Sequence, residues 1–187
     1  MKRSLLLGLF SLAMAPHIVL AEDLFASDQE EPGQFYAGYS LLKSEAGCNF
    51  QGVECDSSGW KLLGGYKFND NIAVEGGYYN IFNNDGTDAT TGKEAVVKGT
   101  GIAMSTIGSY SINDTTSLTG KVGLMAWRAE ADLAGTRTSA MDGTDVLSGV
   151  GVGYKLNDNW QVRGEYEHVG GDLDANMYSA GATLSTL

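Results

Sequence analysis

Gly65-Tyr66-Lys67-Phe68-Asn69-Asp70-Asn71 recurs as Gly153-Tyr154-Lys155-Leu156-Asn157-Asp158-Asn159, with a looser copy between them, Ser109-Tyr110-Ser111-Ile112-Asn113-Asp114-Thr115. The asparagines at 69, 113 and 157 stand 44 residues apart, as do Tyr66, Tyr110 and Tyr154. Asn-Asp between two β-like runs is a turn signal. Each copy therefore ends one strand and starts the next, and the repeating unit is a hairpin with a short turn at one end and a longer connection at the other. One step back from Asn69 falls near residue 25 and one step forward from Asn157 falls past Leu187, so both termini are expected on the short-turn side. Three short turns with that arrangement give eight strands, predicted at 34–42, 59–68, 72–82, 97–111, 117–129, 145–156, 160–168 and 176–186.

From the second strand to the seventh, even positions are apolar, aromatic or small, as in Trp60-Leu62-Gly64-Tyr66-Phe68 and Val146-Ser148-Val150-Val152-Tyr154. Odd positions carry most of the charges: Lys61, Lys67, Glu75, Lys121, Lys155, Arg163, Glu165 and Glu167. Side chains alternate faces along a strand, so one face is apolar and the other polar. The charged face also holds the smallest residues, among them Gly65, Gly77, Gly101, Gly123, Gly149 and Gly151. Eight strands enclose a lumen just wide enough for side chains, and a mix of glycines with a few charges fits it. The apolar face then meets lipid. Tyr66, Phe68, Tyr110, Tyr154 and Trp160 lie near strand ends, where an aromatic girdle belongs. The predicted fold class is all-β: an eight-stranded antiparallel up-and-down transmembrane β-barrel over residues 34–187. Lys98 and Arg128 break the parity and are expected near strand ends.

Composition agrees. The chain has 187 residues, 26 glycines, only 2 prolines and a formal net charge of −11. So acidic a chain lacks the basic stripe that nucleic acid requires. Lys2 and Arg3 followed by the uncharged run Leu5–Met14 read as an export signal too short to span a bilayer. Two small-residue cleavage sites follow. Ala13-Met14-Ala15 would leave Pro16 first, so Val19-Leu20-Ala21 is preferred, giving a signal peptide over 1–21 and an acidic periplasmic segment over 22–33. Beyond it no stretch is long and apolar enough for a transmembrane helix, and a closed barrel is the other structure that lipid tolerates.

Gly120-Lys121-Val122-Gly123-Leu124-Met125-Ala126-Trp127-Arg128-Ala129-Glu130, together with Gly65–Tyr79 and Gly151–Glu167, resembles the transmembrane domain of the OmpA family. The similarity runs over about 34–186. It implies an outer-membrane barrel with an internal salt-bridge network, onto which Glu75, Lys121 and Arg163 fall; Glu165 shares their face. Ile107 and Gly153 stand where the family has a lysine–glutamate pair. The family's peptidoglycan-binding domain is not expected, and in size the chain is closer to short OmpX-like barrels. Leu187 stands where such barrels usually end in an aromatic residue.

Other chemistry is sparse. Cys48 and Cys55, the only cysteines, lie in the first long connection. Export puts them in an oxidising compartment, so a disulfide closing that loop is expected. His168 and Ser179 are expected on opposite faces, so a lipid-modifying pair does not form. Acidic positions in the other long connections (83–96, 130–144 and 169–175) include Asp85, Asp88, Glu94, Glu130, Asp132, Asp142, Asp172 and Asp174. They are read as solvated loop charges, with divalent cations bridging to lipopolysaccharide phosphates as the less favoured reading. No cofactor or catalytic residue is expected. The functional expectation is a non-enzymatic protein of the Gram-negative outer membrane, with periplasmic termini, lipid and lipopolysaccharide around it, and loops offered to a host or surface ligand. The alternative is a narrow porin-like channel for ions or small solutes.

Overall fold

The computed structural model describes residues 33–46, 57–87, 94–133 and 136–186. The expected signal peptide and the Cys48–Cys55 disulfide lie outside them. Eight strands follow one another: β1 (Gln34–Ala46), β2 (Ser57–Lys67), β3 (Ile72–Thr87), β4 (Glu94–Ser111), β5 (Thr116–Leu133), β6 (Thr136–Lys155), β7 (Trp160–Val169) and β8 (Ala175–Ser185). Every neighbour is antiparallel, and β8 pairs back onto β1, with Tyr36 opposite Ser185 and Ala46 opposite Ala175. The sheet is thus a closed barrel.

The three short turns share one design. The Asn69 side-chain oxygen accepts from the backbone N–H of Asn71 at 2.9 Å and of Ile72 at 2.8 Å. Asn113 does the same for Thr115 (3.0 Å) and Thr116 (2.8 Å), and Asn157 for Asn159 (3.0 Å) and Trp160 (2.8 Å). These are Asx turns, in which a side chain replaces a backbone acceptor. The turn carbonyls of Asn71, Thr115 and Asn159 then accept from the N–H groups of Ser109 on β4, Lys155 on β6 and Ser185 on β8. The 44-residue repeat is this linkage, repeated around the rim.

The wall inverts the arrangement of a soluble protein. Ile102, Met104 and Val150 are more than 60 % exposed, while Lys61, Glu75, Lys121 and Glu167 are buried. Charge inside and apolar bulk outside is stable only where the outside is lipid.

Five strands extend three or more residues beyond the sequence-based expectation, among them β1, which runs to Ala46 rather than 42. β6 starts at Thr136 rather than 145, β5 runs to Leu133, β3 to Thr87, and β4 starts at Glu94. The stretch 130–144, expected as a loop, is mostly ladder. Lys98 and Arg128 consequently sit inside strands rather than at their ends. The apolar alternation stops at Ile102 and Ala126, which are partners in the register, and at Val146, opposite Leu124 two residues nearer the membrane, but the backbone ladder continues past them. Alternation records contact with lipid; the pairing does not need lipid.

Candidate functional site

The lumen is built in layers. Its middle holds six charged groups: Lys61 from β2, Glu75 from β3, Lys121 from β5, and Arg163, Glu165 and Glu167 from β7. Lys61 Nζ lies 2.6 Å from both Glu165 and Glu167. Lys121 Nζ meets Glu75 at 2.8 Å, Glu167 at 2.9 Å and Glu165 at 3.2 Å. Arg163 bridges Glu75 at 2.7 Å and also bonds Glu165. Tyr36 and Tyr79 donate to Glu75 (3.0 Å) and Glu167 (2.9 Å). Three cations balance three carboxylates, so the layer is neutral as a whole. A buried charge is tolerable only when paired and hydrogen-bonded.

The structure thus brings Glu75, Lys121, Arg163 and Glu165 into one cluster. The sequence-based set omitted Lys61 and Glu167, although both share its parity and were legible as lumen charges. Tyr79 shares the parity of Glu75 on β3, whereas Tyr36, on β1, lies outside the alternation of the second to seventh strands and carried no such signal.

Towards the long connections, the lumen is filled by bulk: Leu42, Ile81, Met125, Trp127, Leu147, Val169 and Met177 are buried together. This corrects the expectation of an interior made of small and charged residues. Glycines supply the room. A Cβ on Gly143 would lie 2.9 Å from the Trp127 ring, and one on Gly101 would lie 2.9 Å from Met125 Sδ. The β7–β8 connection folds over this layer. Leu173 is buried in it, and the Leu173 N–H donates to Asp145 Oδ2 at 3.3 Å.

At the short-turn end, Phe68, Tyr110, Tyr154 and Trp160 are exposed outward, and Tyr66 packs between Phe35 (4.8 Å between ring centroids) and Phe68 (5.2 Å). A second aromatic group, not singled out in the sequence, stands nearer the other end: Tyr39, Trp60 and Tyr78 in a row, and Tyr166 against Tyr178. Among the described residues it covers β1–β3 and β7–β8 only.

Above the wall, β3, β4, β5 and β6 continue as a sheet. β6 pairs with β7 only from Leu147 to Lys155, so among the described residues 136–146 have a ladder partner on the β5 side alone. The Val146 carbonyl accepts from the Gly170 N–H, so Val146 points its backbone groups away from β5. Backbone groups alternate sides along a strand, so Ala140, Asp142 and Thr144 point theirs the same way, into an edge with no ladder partner among the described residues.

His168 and Ser179 face apart. His168 bonds Asn176 Oδ1 on the outside at 3.0 Å, and Ser179 is buried in the lumen. Among the described residues no group of three His, Cys, Asp or Glu is placed to hold a metal ion.

A family model described as outer membrane protein beta-barrel domain matches residues 4–185. Among curated proteins none matches. The fold is similar to that of Ail, the attachment invasion locus protein of Yersinia pestis, solved in complex with the heparin analogue sucrose octasulfate. That match has a TM-score of 0.62 and 17% identity, over 82% of this chain and 99% of that one. Neisserial surface protein A (NspA) gives a TM-score of 0.58 and 21% identity, over 82% and 99%. The outer membrane protein OprG from Pseudomonas aeruginosa gives 0.59 and 15%, over 82% and 95%. At these identities the likeness is one of fold.

Proposed function

The chain belongs to the outer membrane protein beta-barrel domain family, and from that premise we propose that it is a non-enzymatic component of the Gram-negative outer membrane that holds a sheet edge out to a partner beyond the cell. The edge of β6 over 136–144 carries this reading. An unpaired edge is a template for an added strand, and here it rises past the lipid-facing wall. In this orientation the short turns and both termini lie on the periplasmic side.

The filled lumen supports a sealed barrel over a narrow channel. An ionic layer and an apolar layer occupy it in series, and Leu173 covers the upper one. Charge narrows the partner. In the loop half, the described carboxylates are Glu45, Glu130, Asp142, Asp145, Asp172 and Asp174, against Lys43, Lys98 and Arg128. Lys43 and Arg128 already pair with Glu45 and Glu130. The surface suits an uncharged or basic extended segment rather than the sulfated ligand held by Ail.

Display is tested by Met141→Cys on intact cells with a membrane-impermeant maleimide. Met141 is 44 % exposed on β6 beyond the wall. Labelling of intact cells that exceeds the wild-type background is expected. Labelling that appears only after lysis reverses the orientation. Bilayer conductance indistinguishable from lipid alone is expected of the purified protein, and discrete openings would favour the channel.

A further inference from the structure

We propose that the short-turn mouth of the barrel is a binding pocket for a small oxyanion, a phosphate or carboxylate group. A cavity of about 70 Å³ opens there. Its wall includes three cations, Lys67, Lys155 and Arg163, and a single carboxylate, Asp70. Arg163 is committed to Glu75 and Glu165 in the neutral layer above. Neither Lys67 nor Lys155 is in an ion pair among the described residues. Lys67 Nζ lies 5.8 Å from the centre of the Tyr36 ring, a cation–π contact that leaves its N–H groups available. Two lysines against Asp70 leave one positive charge in excess, in a chain whose formal net charge is −11. Cations gathered around one enclosure repel each other until an anion joins them.

The rest of the wall fits the same guest. Hydroxyls of Ser109, Ser117 and Thr119 and the amide of Gln161 line the cavity. Their internal bonding is slight, since Gln161 Nε2 reaches Ser117 Oγ at only 3.4 Å. Ile107 and Ala73, buried together, give it an apolar floor, and a low-dielectric floor strengthens a charge-assisted bond. Gly153 makes room for the Gln161 amide in the wall, because a Cβ there would lie 1.9 Å from Gln161 Nε2. A phosphate or carboxylate group fits a space of this cavity's size at an open mouth.

The test is a titration of inorganic phosphate into the full-length folded protein in non-ionic micelles. Ionic strength is held constant with chloride, and backbone amides are followed by NMR. Saturable shifts centred on Ser117, Thr119, Gly153 and Gln161 are expected. Lys67→Gln with Lys155→Gln weakens them by at least roughly tenfold, given the strength of hydrogen bonds to charged groups. Lys43→Gln, at the far end, leaves them unchanged. Heat-modifiable gel migration reports whether the double variant is folded, and Lys155→Gln alone, at an exposed position, gives the same reading if it is not. Absence of saturation, or an equal midpoint in the lysine variants, overturns the proposal. Repeating the titration in nanodiscs separates two sources of the group. Competition by phosphatidylglycerol but not phosphatidylcholine assigns it to a lipid headgroup, and equal responses assign it to a free solute.

Discussion

The indole Nε1 of Trp127 on β5 donates to Asp145 Oδ2 on β6 at 2.7 Å, and the same oxygen accepts from the Leu173 N–H at 3.3 Å. One carboxylate oxygen therefore ties the protruding sheet to the connection that covers the lumen. That connection also holds two left-handed residues, Gly171 (φ 69°) and Asp174 (φ 40°). Leu173 is pushed down between them into the apolar layer. Trp127→Phe removes the shorter of the two bonds and should destabilise the barrel by ~1–3 kcal/mol, the cost of a lost hydrogen bond to a charged group. Urea unfolding in lipid vesicles measures it. Unchanged stability would mean that the cap is held by Leu173 packing alone.

Leu173→Ala separates those contributions. Truncating a buried leucine costs ~2–5 kcal/mol when the site cannot collapse. The backbone bond to Asp145 survives the change, so the loss reports packing. Proteolysis between Gly170 and Asp174 should become faster in this variant. A protease-resistant loop would show that Leu173 does not anchor it.

Lys121 touches all three carboxylates of the ionic layer, within 3.2 Å. Lys121→Met strands one negative charge in the lumen and should cost ~3–5 kcal/mol. Lys121→Met with Glu167→Gln restores neutrality, so the double variant should be more stable than the sum of the singles by ~1–3 kcal/mol. Additive losses would contradict a shared network.

The turns were the most legible part of the fold. An asparagine at a fixed place in a repeated segment has a local job, and its Oδ1 does that job within three residues. The lumen charges were legible through parity alone, which is why Lys61 and Glu167 could have been included from the start. The apolar layer was not legible. Met125, Leu147 and Met177 look like lipid contacts, and only their odd positions on β5, β6 and β8 place them inside. The length of β6 was hidden for a different reason. Outside the membrane neither face of the sheet must be apolar, so Thr136–Asp145 has loop-like composition and strand geometry at once.

Equal turn geometry predicts equal cost. Asn69→Ala, Asn113→Ala and Asn157→Ala each remove an acceptor of two backbone N–H groups, and each should lose ~1–2 kcal/mol. Asn→Asp at the same positions keeps the acceptor and most of the stability. A large effect at one turn only would show that the three are not equivalent.

The edge itself is open to a direct test. Thr144 lies opposite Ala126, and its backbone N–H points away from β5 by the alternation that Val146 fixes. Proline there removes a donor that the β5 ladder does not use, and proline is tolerated on edge strands for that reason. Thr144→Pro should therefore leave folding and heat-modifiable migration intact while abolishing capture of an extended basic peptide. Proline at Asp145, whose N–H points into the ladder, should instead cost stability. Heparin should not retain the wild-type protein at physiological salt, because the loop-half carboxylates outnumber the cations. Peptide capture that survives Thr144→Pro would move the contact from the sheet edge to a face.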